Sequence, residues 1–265
     1  MKTAILIPAR FASSRYSGKP LVELKGAGGA AKPLIQRSYE AAQRVRGIDS
    51  VHVVTDDERI AERASGFGAP VILTSSEARN GTERCAEALP HLGDVDLVVN
   101  LQGDALLTPP GFVESLIARM EDDRDALVAT PAMRLRASEV RLLQQEEAAG
   151  RVGGTSVVAD GQGHALYFSK RLIPYLPAAA LDDGPSPVRL HVGVYAYRPE
   201  ALDRYVTTPV SELEILEGLE QLRFLVAGVP IAVVEVETPP FALRELNNPE
   251  DVELIEAALI EAGLE

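Results

Sequence analysis

The chain has 265 residues, 46% hydrophobic and 25% charged, which suits one large α/β domain, or one such domain carrying an inserted lobe. A formal net charge of -13 argues against a broad surface tracking nucleic-acid phosphates, although a local basic cluster with a divalent cation can still hold an anionic small molecule. The single cysteine, Cys85, excludes an intrachain disulfide and a cysteine-built zinc site, and suits a reducing, cytoplasmic compartment.

The opening MKTAILIP is too short an apolar run for a secretory signal, and no stretch approaches the roughly 20 apolar residues of a membrane span, so neither a leader nor a membrane is expected. It reads as a buried first strand, Ala4 to Ile7. Strands follow at Val51 to Thr55, Val71 to Thr74 and Leu97 to Asn100, separated by helical patterns such as Pro33 to Arg46. This alternation predicts a Rossmann-like α/β fold with a mostly parallel sheet, and the near-continuous apolar runs suit strands covered on both faces. Gly26 to Ala31 (GAGGAA) reads as a flexible surface loop. Over approximately residues 127 to 210 the pattern becomes more antiparallel, and a smaller inserted α+β lobe is expected there. Within it, Thr155 to Ala159, a Gly161-Gln162-Gly163 turn and Ala165 to Phe168 read as a hairpin, and Val192 to Tyr197 as another strand. Ser211 to Arg223 reads as one helix with a Ser211/Glu214 capping box. Its stripe Ile215, Leu219, Leu222 and Val226 is expected to face the core, with Glu217, Glu220 and Gln221 away from it. A late strand, Ile231 to Val236, precedes a last helix opened by Asn248-Pro249-Glu250-Asp251.

Ligands of such sheets bind beyond the carboxyl ends of the strands. Those ends carry Pro8-Ala9-Arg10, Thr55-Asp56-Asp57, Thr74-Ser75-Ser76 and Gln102-Gly103-Asp104, all small or polar. The loop after the first strand concentrates Arg10, Ser14, Arg15, Gly18 and Lys19. Amides and small side chains allow a phosphate to approach, and the cations neutralise it, although charges alone equally describe a basic surface loop. The two-glycine spacing of a P-loop is missing. Gly81 and Thr82 fall at a helix start, suited to polar recognition or to an ordinary cap. Asp104, ending an apolar strand, can anchor a cation, and magnesium prefers carboxylate and phosphate oxygens. Period two sends His191, Gly193, Tyr195 and Tyr197 to one face.

From residue 3 to about 260 these segments resemble, in order, the sugar-acid cytidylyltransferases, and within them the CMP-Kdo synthetase family, Kdo being 3-deoxy-manno-octulosonate. Ile7 to Leu21 matches the family's I-P-A-R-x-x-S-x-R-x-x-G-K-P-L throughout. Asn80-Gly81-Thr82-Glu83-Arg84 is similar to its S-G-T-E/D-R, and Gln102-Gly103-Asp104 to its Q-G-D. Ala165 to Pro174 resembles A-L-Y-F-S-R-x-x-I-P, His191 to Arg198 resembles H-x-G-x-Y-x-Y-R, and Leu213 to Arg223 resembles L-E-x-x-E-x-L-E-Q-L-R. The resemblance implies transfer of CMP from CTP to the anomeric hydroxyl of an acidic sugar, with release of pyrophosphate. It implies nucleotide contacts from Pro8, Ala9, Arg10, Ser14, Arg15, Lys19, Thr74, Ser75, Gly81, Thr82, Arg84, Gln102 and Asp104, with Arg10, Lys19 and Asp104 catalytic. It implies sugar contacts from Lys170, His191, Gly193, Tyr195, Glu220 and Gln221, and Mg2+ held by Asp104 and Asn247. A homodimer formed through the inserted lobe is also implied.

Three positions depart from the family. Ala105-Leu106 stands where Glu-Pro is usual. Lys170 replaces an arginine and lacks its bidentate fork. Asn247 replaces an aspartate, so its amide oxygen can ligate a metal but brings no charge. These departures keep open a different acid (neuraminate-like, amino-Kdo or phosphonate), or a non-catalytic CTP-binding homologue.

Overall fold

The computed structural model describes residues 1–12, 16–177, 181 and 185–264. The chain forms two compact units, Met1–Ile117 with Pro239–Glu265, and Ala118–Thr238.

The first unit opens with β1 (Thr3–Ala9), buried at every residue. A strand covered on both faces has no solvent side to alternate toward, which is why TAILIPA is apolar almost throughout. β2 (Glu23–Lys25) and β3 (Ala31–Pro33) pair antiparallel, so GAGGAA forms the turn of a hairpin, closed by Gly26 N donating to Ala30 O at 3.3 Å. α1 (Leu34–Gln43) follows, with Pro33 as its extended N-cap and not its first helical residue. Then come β4 (Ser50–Thr55), α2 (Glu58–Gly66), β5 (Val71–Leu73), α3 (Gly81–Ala88), β6 (Leu97–Leu101) and α4 (Pro110–Asp122). β1 lies between β4 and β6, with Ile5 opposite both Val51 and Val99, and β5 pairs with β4. All three pairings are parallel, so the ends Ala9, Thr55, Leu73 and Leu101 share one edge.

In the second unit β7 (Val128–Arg136) is the hub. It is followed by α5 (Ala137–Ala148), β8 (Ser156–Ala159), β9 (Ala165–Ser169), β10 (Pro185–His191), β11 (Val194–Tyr197), α6 (Pro199–Thr207), α7 (Glu212–Glu217), α8 (Leu222–Val226) and β12 (Ile231–Val236). β12 pairs with β7 in parallel, whereas β10 and β11 pair with it antiparallel. β8 pairs with β10, and β9 with β8, which forms the expected hairpin. His191 stands opposite Ala132 and Ala196 opposite Ala129. The partner strand thus advances five residues while β7 advances three, and the excess is a bulge at Val192-Gly193.

The expected helix from Ser211 to Arg223 is interrupted. Gly218 adopts φ 60°, ψ 40°, the left-handed conformation that ends α7 and that only glycine enters without strain. A continuous core-facing stripe is therefore lost. Leu219 and Leu222 are buried, but Ile215 is 70% and Val226 53% exposed. Gln221, expected to face away, is buried. Ser211 Oγ accepts from Glu214 N at 3.1 Å, but the Glu214 carboxylate turns to Arg223, at 2.8 and 2.6 Å, and forms a buried ion pair.

The chain returns to the first unit and ends in α9 (Val252–Glu261). The Asp251 carboxylate accepts from Asn247 N (3.0 Å) and Asn248 N (2.7 Å) at its start. Leu246, Ile255 and Leu259 pack in one apolar cluster with Leu24, Leu34, Leu106 and Leu107. Among the described residues, no helix is long and apolar enough to cross a membrane.

Candidate active site

At the carboxyl edge of the first unit, Pro8 and Ala9 are buried at the end of β1 and Arg10 emerges exposed. Ser14 and Arg15 lie outside the described residues. The loop comes back on itself through Gly18 N donating to Phe11 O at 2.9 Å. The Arg59 guanidinium sits 3.3 Å from the centre of the Phe11 ring and is itself oriented by Asp57.

Lys19 Nζ meets Asp104 Oδ2 at 2.5 Å, across 85 residues of sequence. Each side chain is 17% exposed, so a cation and an anion are presented together at the rim and not sequestered. Gly103 lets its own loop lie against the end of β1: a Cβ there would stand 2.7 Å from the Pro8 carbonyl oxygen. Ser38 Oγ, on α1, donates to Gly103 O at 2.8 Å and fixes the same loop from below.

Beside it, Gln102 Nε2 donates to Asn100 Oδ1 at 3.3 Å. Asn100 is fully buried in β6, and its Nδ2 has no partner among the described residues. An unpaired buried amide costs about 1–3 kcal/mol, and such groups concentrate where a fold serves binding more than stability. Asn100 is absent from the predicted contacts, and its one sequence signal is an amide inside an otherwise apolar strand.

Gly81 opens α3, where the Asn80 side chain accepts from Glu83 N at 2.9 Å. Asparagine and serine cap equally well, so the change from the family's serine preserves the helix start. Thr82 is fully buried. Arg84 is 3% exposed: Nη1 donates to Thr74 Oγ1 at 2.5 Å, and Nη2 lies 3.1 Å from Asp56 Oδ1. Its charge thus braces the loops after β4 and β5 and positions Thr74. Ser75 N is held by Glu87 Oε2 at 2.8 Å. Asn247 is half-buried just ahead of α9. Among the described residues, no three acid, histidine or cysteine side chains gather as a ready-made metal cage.

The second unit gathers the other predicted residues. The His191 ring packs against Phe168 (centroids 5.1 Å) and Tyr195 (5.4 Å), and Tyr195 stacks on Tyr197 at 5.7 Å. Desolvation in this aromatic setting pushes the His191 pKa down to about 3, so the imidazole is neutral at physiological pH. Gly193 lies in the bulge. Glu220 is half-buried between α7 and α8. Gln221 is 2% exposed, and its Nε2 has no partner among the described residues. Lys170 is exposed, and its Nζ reaches over Gly218, where a Cβ would lie 2.8 Å away. Glu217, expected only as an outward-facing acid, organises this end of β9. It accepts from Ser169 Oγ (2.7 Å), Lys170 N (2.9 Å) and Tyr167 OH (3.4 Å).

Parallel strands ending in a small-residue loop with paired Lys19 and Asp104 make an α/β site suited to a phosphorylated ligand. Residues 4–233 match the family model described as Cytidylyltransferase, and the chain belongs to that family. It is 35% identical over 264 residues to 3-deoxy-manno-octulosonate cytidylyltransferase of Maricaulis maris (strain MCS10), covering 99% of each chain. It is 38% identical over 264 residues to 8-amino-3,8-dideoxy-manno-octulosonate cytidylyltransferase of Shewanella piezotolerans (strain WP3 / JCM 13877), covering 98% of this chain and 99% of the relative. A solved structure of CMP:2-keto-3-deoxy-manno-octonic acid synthetase complexed with CTP superposes with a TM-score of 0.84 at 35% identity, covering 99% of this chain and 100% of that one.

Proposed function

We propose that this chain transfers CMP from CTP to the anomeric hydroxyl of 3-deoxy-manno-octulosonate or a closely related acidic sugar. The observation that carries the reading is the Lys19–Asp104 pair at the carboxyl edge of a parallel sheet. The sugar oxygen forms a bond to the α-phosphorus, the bond from that phosphorus to the bridging oxygen of the β-phosphate breaks, and pyrophosphate leaves with the electron pair. The hydroxyl proton passes to solvent. Such chemistry needs positioning and charge neutralisation more than covalent help. Arg10 and Lys19 neutralise the leaving pyrophosphate. Gln102 and the amides at the start of α3 hold the nucleoside. In the second unit, His191, Tyr195, Glu220 and Gln221 orient the sugar, with Lys170 as the cation for its carboxylate.

Magnesium is bound through one or two carboxylates together with substrate phosphates. Asp104 supplies one ionised carboxylate, already attractive to the Lys19 ammonium, and Asn247 supplies an uncharged amide, so the donor set fits at its lower limit. When bound, the ion supplies Lewis-acid charge at the phosphates. We also infer a cytoplasmic homodimer formed through the lobe at residues 127–210. The support for the dimer is the exposed apolar side chains Leu166 (62%) and Tyr175 (88%).

The 8-amino acid is the second reading, favoured by a relative of that specificity at 38% identity. Pyrophosphate release from CTP, measured with both octulosonates, a neuraminate and a phosphonate, separates these substrates. CTP binding without release for any acid identifies a non-catalytic homologue.

A further inference from the structure

Thr130 is fully buried in β7 and is followed by Pro131, which has no N–H to give. On the register that sets Ala196 opposite Ala129, Val194 faces Pro131, so the Val194 carbonyl lacks a ladder donor from that residue. The Thr130 hydroxyl supplies one: Oγ1 lies 2.8 Å from Val194 O and 3.4 Å from Val192 O. A threonine hydroxyl has a single hydrogen. With that hydrogen directed at a main-chain carbonyl, Oγ1 can only accept from His191 Nε2, 2.9 Å away. Nε2 therefore carries the ring's proton, and a neutral imidazole protonated there leaves Nδ1 bare. The ring is neutral because its apolar neighbours hold the pKa down at about 3. The residue as a whole keeps partial exposure although Thr130 has none.

We propose that Thr130 is a positioning residue that fixes His191 in its Nε2–H form, making Nδ1 an acceptor for a hydroxyl of the acidic sugar and not a cation for its carboxylate; this rests on the reading of His191 as a sugar contact. The bulge at Val192-Gly193 and the missing N–H of Pro131 belong to the same device, since they turn the threonine hydroxyl toward the main chain. A site that accepts from a substrate hydroxyl discriminates strongly against an analogue lacking it, because the acceptor is then left unpaired.

The test is nitrogen-15 NMR of the His191 ring in the full chain without ligand, for wild type, Thr130→Ser and Thr130→Val, followed by kinetics with CTP and 3-deoxy-manno-octulosonate. The Nε2–H signature is expected in wild type and Thr130→Ser, and its loss in Thr130→Val. The valine variant should raise KM for the acid about tenfold, the worth of one hydrogen bond, with KM for CTP within about twofold. The serine variant should stay within about threefold of wild type on both. An Nδ1–H or doubly protonated ring in wild type overturns the proposal without reference to any substrate. An unchanged acid KM in a folded Thr130→Val chain whose tautomer has shifted overturns the acceptor role. A wild-type chain with the Nε2–H signature that releases no pyrophosphate with this acid overturns the substrate reading and the acceptor role, while the tautomer assignment stands.

Discussion

Lys19 and Asp104 neutralise each other in an ion pair at the rim of the sheet. On the proposed function, a triphosphate offers the ammonium more negative charge than one carboxylate does, so the pair can part at little cost, each side chain already touching water. Lys19→Met should therefore lower kcat/KM by about a hundredfold or more, the usual loss when one preorganised charge facing a leaving group is removed. The fold should persist, and pyrophosphate-release kinetics beside a circular dichroism melt check both. Arg84 looks the same in sequence as Arg10 or Lys19, yet its guanidinium is closed off by Thr74 and Asp56. A motif shows that a cation is present but not what it faces, because the partner comes from another strand end. His191 carries a pH dependence of its own. The unfolded ring takes a proton near pH 6.5 and the folded ring only near pH 3. Below about pH 6.5 the unfolded state binds more protons, so this contribution to stability falls as pH falls between those values. Urea denaturation of His191→Gln should show a shallower loss of stability from pH 6.5 to pH 4 than wild type does.

Elements were legible where a single segment determines them. β1 and β6 announce themselves because strands buried on both faces must be apolar along most of their length. The break at Gly218 and the bulge at Val192-Gly193 were not legible. The first looks like any glycine within a helical pattern, and the second depends on how β7, some 60 residues earlier, sets the register. Two glycines expose the difference between local and tertiary demands. At Gly218 an added methyl meets the end of a flexible lysine, so Gly218→Ala should cost only the left-handed backbone penalty, about 1–2 kcal/mol, read from the urea midpoint. At Gly103 it meets the Pro8 carbonyl, which β1 holds in place. Gly103→Ala should therefore push the Asp104 loop away from the end of β1 and weaken CTP binding at least about tenfold by calorimetry, with secondary structure retained.

At the scale of the whole molecule, the first unit is closed by the two ends of the chain, which places Asn247 in the same unit as Asp104. Leu246 and Leu106 share one fully packed apolar cluster, so Asn247 and Asp104 each stand within two residues of a common anchor. The net charge of -13 has little reach here, since ionic screening over about 10 Å at 0.1 M salt leaves local donors to decide cation affinity. Asn247→Asp would add a second carboxylate to the proposed magnesium site, and such sites accept one or two. The half-saturating Mg2+ concentration for pyrophosphate release should fall about tenfold, equivalent to about 1.4 kcal/mol, while the rate at saturating Mg2+ stays within about threefold. If both carboxylates face one cation they repel without it, so the variant should melt earlier than wild type in chelator and regain the difference as Mg2+ with CTP is added. A half-saturation unchanged by the substitution, together with an unchanged melt in chelator, would place Asn247 outside the proposed cation site.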